Sequence, residues 1–190
     1  MLEFFEHIDT EIFLFLNGLH TSIMDFIMYW MSEKWIWVPL YILLIYFVFK
    51  KEKKRGFLVL GCIIILIIAA DQISNHLFKE VFQRLRPCHN PEIMEKVNLV
   101  KNKCGGQFGF ISSHATNHFA LAVFLARFFK IRSFSIFIYI WAVIICYSRI
   151  YLGVHYPGDV IGGILIGGLL GYIFWKIYNL IYYRVYILKR

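Results

Sequence analysis

Gly56-Phe57-Leu58-Val59-Leu60-Gly61-Cys62-Ile63-Ile64-Ile65-Leu66-Ile67-Ile68-Ala69-Ala70 contains no charged side chain. Lys50-Lys51-Glu52-Lys53-Lys54-Arg55 precedes it, and Asp71, Gln72, Ser74, Asn75, His76 and Lys79 follow it. An apolar run of this kind, extended by its polar end, approaches the roughly 20 residues that a helix needs to cross a bilayer. The basic cluster on one flank marks the cytoplasmic side. The opposite flank does not become a plain loop. It acquires charge and amide groups at helical spacing, which inside a membrane is a sign of use.

Reading outward from this stretch gives four more spans. Trp35 to Phe49 is apolar around Pro39 and extends back through Ser32-Glu33-Lys34. Past a loop from Pro87 to about Ile111, further spans run from Ser113 to Phe129, from about Ser133 to Ile150, and from Val160 to about Tyr183. If the five alternate, the basic clusters at 50–55, 127–132 and 184–190 fall on one side, which is inside. Residues 1–34 have no Lys or Arg before Lys34 but carry Glu3, Glu6, Asp9, Glu11, Asp25 and Glu33. Their short apolar pieces are expected to form two interfacial helices on the outer surface. The alternative is a sixth span with the N-terminus inside, against which the absence of basic residues near Met1 argues.

The composition agrees with this reading. Of 190 residues, 59% are hydrophobic, and the mean hydropathy is +0.63. Soluble domains contain about 45–50% apolar residues. The class is therefore all-α, a polytopic transmembrane helix bundle. No linker composition divides it, so 1–190 is expected to be one integral-membrane domain. The acidic N-terminus lacks the basic region of a cleaved signal peptide. A net charge of +8 would suggest nucleic acid in a soluble protein. Here the charge lies in loops beside spans, where it sets topology, and no nucleic acid is expected.

With the spans placed, the ionisable groups collect at the outer ends. Lys79 and Arg86 are close to two helical turns apart and would share one helix face with Asp71 and Asn75 if the helix persisted. Such a face suits a phosphate, although Lys79, Arg84 or Arg86 taken singly would more simply snorkel to headgroups. Ser112-Ser113-His114 opens the third span. A serine there suits an N-cap, and the free N–H groups of a helix start bind anions. Ser148-Arg149 ends the fourth span, and His155 and Asp159 bracket the turn into the fifth, with Pro157 suited to its first turn. An aspartate beside a histidine can orient the ring and stabilise the imidazolium. It can equally stabilise the positive end of the helix. Gly163, Gly167 and Gly171, in i, i+4 register with Asp159, read as a helix-packing stripe.

Other features read more plainly. His114 and His118 are one turn apart, but no glutamate lies between them as in a zincin, so no metal is expected. His118 reads as a bundle-facing polar residue. His7, His20, His76 and His89 have no convincing partners. Cys62 and Cys146 lie within spans and read as inert. Cys88 and Cys104 flank the outward loop. In an oxidising compartment they can form a disulfide, with two free thiols as the open alternative.

Three ordered motifs, Lys79-x6-Arg86-Pro87, Ile111-Ser112-Ser113-His114 and Ser148-Arg149-x5-His155-x3-Asp159, resemble those of the type 2 phosphatidic acid phosphatases. These enzymes share a core with the vanadium haloperoxidases. The resemblance covers roughly residues 56–183. The second motif lacks the family's Pro and Gly but keeps its Ser and His. The resemblance implies that His155 attacks phosphorus and becomes phosphohistidine, that Asp159 orients it, and that His114 protonates the leaving oxygen. It also implies that Lys79, Arg86, Ser112 and Arg149 bind the phosphate oxygens, with Ser113 beside them, and that no cofactor is needed. The reading of the residues alone reaches the same cluster but does not distinguish the attacking histidine.

The expected function is that of a membrane lipid phosphatase in a bacterial inner membrane, its site facing the periplasm or exterior. The expected partners are the membrane and a phospholipid or polyprenyl pyrophosphate substrate. Undecaprenyl pyrophosphate is the favoured substrate, with lipid A phosphate or phosphatidylglycerol phosphate as alternatives. A lipid transporter or scramblase, and a metal-dependent membrane hydrolase, are the rivals from other classes.

Overall fold

The computed structural model describes residues 2–188 and is all-helical apart from loops and one isolated bridge. Helices occupy each of the five expected intervals: α3 (Val38–Glu52), α4 (Gly56–Gln72), α6 (Ser113–Phe129), α7 (Arg132–Tyr151) and α8 (Pro157–Tyr186). Two more, α1 (Leu2–Gly18) and α2 (Ser22–Ser32), precede them, and a short α5 (Glu80–Phe82) closes the stretch after α4. Lys34–Phe82, Arg132–Tyr151 and Pro157–Tyr186 are long and apolar enough to cross a membrane. The first of these contains the α3–α4 hairpin, which turns at Lys53 (φ 51°). The segments Phe4–Gly18 and Ser22–Ser32 are bent by 115° at their junction.

The most extensive helix pairing joins α6 to α8, and small residues explain it. A Cβ on Gly163 would lie 2.7 Å from the Ser112 carbonyl oxygen and 2.8 Å from the Ala115 Cβ. One on Gly167 or Gly171 would strike the carbonyl oxygen of Thr116 or Ala120. The expected packing stripe is thus present, and it brings backbone against backbone. The core of the bundle is completed by Leu44, Val48, Val59, Leu66, Phe124 and Ile138. Trp141 stands edge-on to Trp37 and Tyr41, at 5.6 and 6.2 Å between ring centroids.

The basic clusters meet at one end of the bundle. Lys51 Nζ donates to the Phe128 carbonyl at 2.7 Å, tying the end of α3 to the end of α6. Arg55 hydrogen-bonds the Tyr182 hydroxyl near the end of α8. Lys189 and Arg190, part of the third cluster, lie outside the described residues. Helices α1 and α2 attach at the opposite end. Asn17 Nδ2 donates to the Tyr151 carbonyl at 2.8 Å, Phe13 is fully buried, and Tyr151 donates its hydroxyl to Asp25 Oδ1 at 2.7 Å. Phe4, Phe5, Ile12 and Phe15 remain exposed on α1, an apolar face that an interfacial helix and one arm of a broken span present alike.

Candidate active site

The polar end of α4 departs from regular geometry. Residues Ile73–Lys79 form a π-helix, and Gln83 is left-handed (φ 47°), which ends the helix after Phe82. The helix does not persist to Arg86, so the condition for Lys79 and Arg86 to share one helix face is not met. Arg86 stands on extended backbone instead, with its N–H donated to the Gln107 carbonyl at 3.0 Å. The wider π turns still align a ladder: Asn75 Nδ2 donates to Asp71 Oδ2 at 3.2 Å, and Lys79 Nζ to Asn75 Oδ1 at 2.8 Å. Lys79 Nζ also donates to Ser113 Oγ, at 2.6 Å, so the first motif meets the second.

Ser112 occupies the N-cap position of α6, but its hydroxyl makes no capping bond. The expected cap is thus absent, and Ser112 Oγ, fully buried, has no partner among the described residues. Its backbone N–H donates to the Asp159 carbonyl at 3.0 Å, which fixes the start of α6 against the start of α8. His114 follows in the first turn of α6. His118 is held away from the outer end, donating Nδ1 to the His114 carbonyl at 2.7 Å and packing on Trp141.

The third motif brackets the turn between α7 and α8. His155 Nδ1 donates to Asp159 Oδ2 at 3.2 Å, and both side chains are buried. The Tyr156 N–H donates to the same oxygen at 3.1 Å. One Asp159 oxygen therefore accepts from both the N-cap N–H of α8 and the His155 ring, so the two readings of Asp159 do not exclude one another. Its other oxygen accepts from Arg84 Nη1 at 2.9 Å. Arg84 does not snorkel, and its pairing with Asp159 had no signal in the sequence. Arg149, near the end of α7, hydrogen-bonds Ser32 Oγ, while its buried Nε has no partner among the described residues.

These groups line a cavity of about 560 Å³. Lys79, Arg86, Arg149, Ser113, His114 and His155 all face it, whereas Asp159 stands behind His155. Three cations and two imidazoles thus converge on one space. Burial, then the charges of Arg86, Arg149 and Lys79, hold the His155 imidazole well below its ordinary range. That keeps the ring neutral, with its second nitrogen available. An apolar groove of about 530 Å³ adjoins the cavity. Tyr41, Leu44, Ile63, Ile67 and Leu121 are among its walls, and it shares Lys34, Ser113 and His114 with the polar cavity.

The outward loop is tied across its base. Cys88 and Cys104 form a disulfide, with Cα atoms 6.0 Å apart, so the bonded reading is the one observed. Arg86 Nη1 donates to the Cys104 carbonyl at 3.2 Å and Nε to that of Phe108 at 3.2 Å. Cys62 and Cys146 are free and buried. Two of the histidines expected to lack partners have neighbours: His76 Nδ1 is 2.8 Å from Glu80 Oε1, and His89 Nε2 is 3.2 Å from the Gly105 carbonyl. Among the described residues no cluster of three His, Cys, Asp or Glu side chains could hold a metal.

The PAP2 superfamily model matches residues 60–183. The chain is 43% identical over 180 residues to a lipid A 4'-phosphatase of Bacteroides thetaiotaomicron, covering 93% of this chain and 80% of that protein. It is 29% identical over 174 residues to the undecaprenyl-diphosphatase BcrC of Bacillus subtilis, covering 90% and 84%. Its fold is that of a solved PAP2-type phosphatidylglycerolphosphate phosphatase of Bacillus subtilis, with a TM-score of 0.72 at 22% identity, covering 93% of this chain and 87% of that one.

Proposed function

The chain belongs to the PAP2 superfamily and is a multi-pass membrane lipid phosphatase, and from that premise we propose that its substrate is a lipid A-like glycolipid bearing a phosphate monoester. Identity of 43% along nearly the whole chain to a lipid A 4'-phosphatase, against 29% to an undecaprenyl-diphosphatase, favours this over the polyprenyl pyrophosphate expected from sequence. The polar cavity supports it too. Its 560 Å³ is walled by Tyr29 and Trp35 as well as by the cations, a setting that suits a sugar ring carrying a phosphate. The adjoining groove suits an acyl chain.

The observation that carries the chemistry is the meeting of Lys79, Arg86 and Arg149 in front of a histidine backed by a carboxylate. In the proposed reaction the His155 nitrogen turned from Asp159 attacks phosphorus. A P–N bond forms as the P–O bond to the lipid breaks, and His114 gives its proton to the departing oxygen. Water then attacks the phosphohistidine, and His114 takes up a proton from it, so that phosphate leaves and both histidines return to their starting states. The three cations, with Ser113, hold the phosphoryl oxygens as charge develops, whereas the Ser112 hydroxyl expected beside them is fully buried and not on the cavity wall. Lying opposite the basic clusters, the site would open to the periplasmic side of a bacterial inner membrane.

The test is phosphate release by the purified full chain from lipid A, undecaprenyl pyrophosphate and phosphatidylglycerol phosphate. The highest kcat/KM is expected on lipid A. A higher value on undecaprenyl pyrophosphate would restore the polyprenyl reading.

A further inference from the structure

Asp9 lies outside the segment matched by the superfamily model, yet it reaches the site. Its Oδ2 accepts from Arg84 Nη2 at 2.7 Å, and its Oδ1 accepts from the Gly158 N–H at 2.7 Å. Arg84 Nη1 in turn donates to Asp159 Oδ1 at 2.9 Å. One guanidinium therefore bridges two carboxylates, one from α1 and one from α8. The Tyr156 ring supports the guanidinium from below, its centroid 4.2 Å from Cζ. The Arg84, Asp9 and Asp159 side chains are 22%, 15% and 0% exposed, so the bridge is largely shielded from water.

We propose that Asp9 and Arg84 are positioning residues for the reaction, setting the orientation of Asp159 and through it that of His155. This rests on the reading of His155 as the nucleophile. Asp159 has two oxygens and three hydrogen bonds to accept. Oδ2 serves His155 and the Tyr156 N–H, which leaves Oδ1 free to swing unless something holds it. Arg84 holds it, and the planar fork allows the same side chain to be held by Asp9. Asp9 adds a second restraint, because its other oxygen anchors the first turn of α8 at Gly158. The bridge also moderates charge. Arg84 offsets the negative charge of Asp159, so the carboxylate orients the imidazole without drawing a proton onto it.

Charged and titratable groups face His155 from every side. Arg84 and Arg86 come from the segment between α5 and the loop, Lys79 from the end of the π-helix, Arg149 from α7, His114 from α6 and Asp159 from α8. Asp9 of α1 stands behind Arg84. Removing Arg84 takes away positive charge nearest Asp159 and favours the imidazolium. Removing the charge of Asp9 does the opposite.

The experiment compares Arg84→Gln, Arg84→Lys and Asp9→Asn in the full chain, with His155→Ala as a control, by pH profiles of kcat and KM for phosphate release from lipid A. Arg84→Gln should lower kcat about 10- to 100-fold, the loss typical of removing an outer partner that orients a ligand histidine, with KM little changed. Its acid limb should move to higher pH. Arg84→Lys should leave the acid limb near that of the parent while losing kcat, because an ammonium keeps the charge but loses the planar fork whose two nitrogens each meet one carboxylate. Asp9→Asn should lower kcat with its acid limb moved to lower pH. Loss of activity in all three with no difference between their acid limbs would overturn the proposal, as would unchanged kcat. If Arg84→Gln does not fold, the contrast between Arg84→Lys and Asp9→Asn decides alone. An active His155→Ala protein would instead overturn the reading on which the proposal rests.

Discussion

His155 and Asp159 are held together across the start of a helix: Nδ1 of one lies 3.2 Å from Oδ2 of the other, and the same oxygen accepts the Tyr156 N–H. The hydrogen bond that begins α8 and the one that aims the imidazole therefore share an acceptor. Anything that shifts the first turn of α8 also shifts the ring.

The glycine stripe sets that turn's distance from α6. Gly167→Ala would drive a methyl group into the Thr116 backbone, which cannot rotate away as a side chain could. Overpacking of this kind costs about 1–3 kcal/mol. Thermal unfolding in detergent should show a lowered Tm. Gly168→Ala, one residue on, meets only the far end of Val123 at 4.0 Å and should leave the Tm close to that of the parent.

Arg149 should not tolerate exchange for lysine. It is placed among the cavity-lining cations, with one nitrogen on Ser32 and a buried Nε free of protein partners among the described residues. Arg149→Lys keeps the charge but loses the fork that can address two phosphoryl oxygens. Activity should fall by at least about tenfold, as expected for losing one charge-assisted bond of roughly 1.5–3 kcal/mol. Vanadate should inhibit the parent enzyme, and EDTA should not. Inhibition by EDTA that a divalent ion reverses would favour a metal-dependent hydrolase.

Acid should weaken the fold through His155. Burial first, and then the facing charges of Arg86, Arg149 and Lys79, depress its folded pKa below the ordinary value of 6.5. Below about pH 6.5 the unfolded chain binds a proton that the folded chain refuses. Stability present above that pH is thus lost as the pH falls from it toward the folded pKa. Tm measured from pH 8 to 5 should decline over the lower part of this range, and the decline should be shallower in His155→Ala. Equal slopes in the two proteins would contradict the assignment.

The disulfide should stabilise the loop whose carbonyls hold the Arg86 guanidinium. Closing the chain between Cys88 and Cys104, 16 residues apart, contributes roughly 3 kcal/mol in the chain-entropy model. Reduction should lower the Tm and also reduce kcat/KM, since Arg86 Nη1 leans on the Cys104 carbonyl. A reduced protein of unchanged Tm would show that other contacts hold the loop.

The parts of this molecule legible in its sequence are those written in local pattern. Apolar runs located α3, α4, α6, α7 and α8, and the small-residue register of Gly163, Gly167 and Gly171 gave the tightest pairing in the bundle. Motif spacing brought Lys79, His114, Arg149 and His155 to one cavity. The position of Arg86 was not legible, because regular helical spacing cannot anticipate a π-helix followed by a left-handed Gln83. Nor was the silence of the Ser112 cap, since that residue type suits an N-cap whether or not its hydroxyl makes the bond. Asp9 was the least visible of all. Its partners are 75 and 149 residues away, and on an interfacial helix an acidic residue looks like part of the solvated face.

The phosphoryl group is expected to pass through His155. The most direct measurement is to quench the purified enzyme during turnover of lipid A labelled in its phosphate, under conditions that preserve phosphohistidine, and to map the label by peptide mass spectrometry. Label is expected on the peptide containing His155, and none in His155→Ala. Label on His114 instead, or turnover by His155→Ala, would contradict this route.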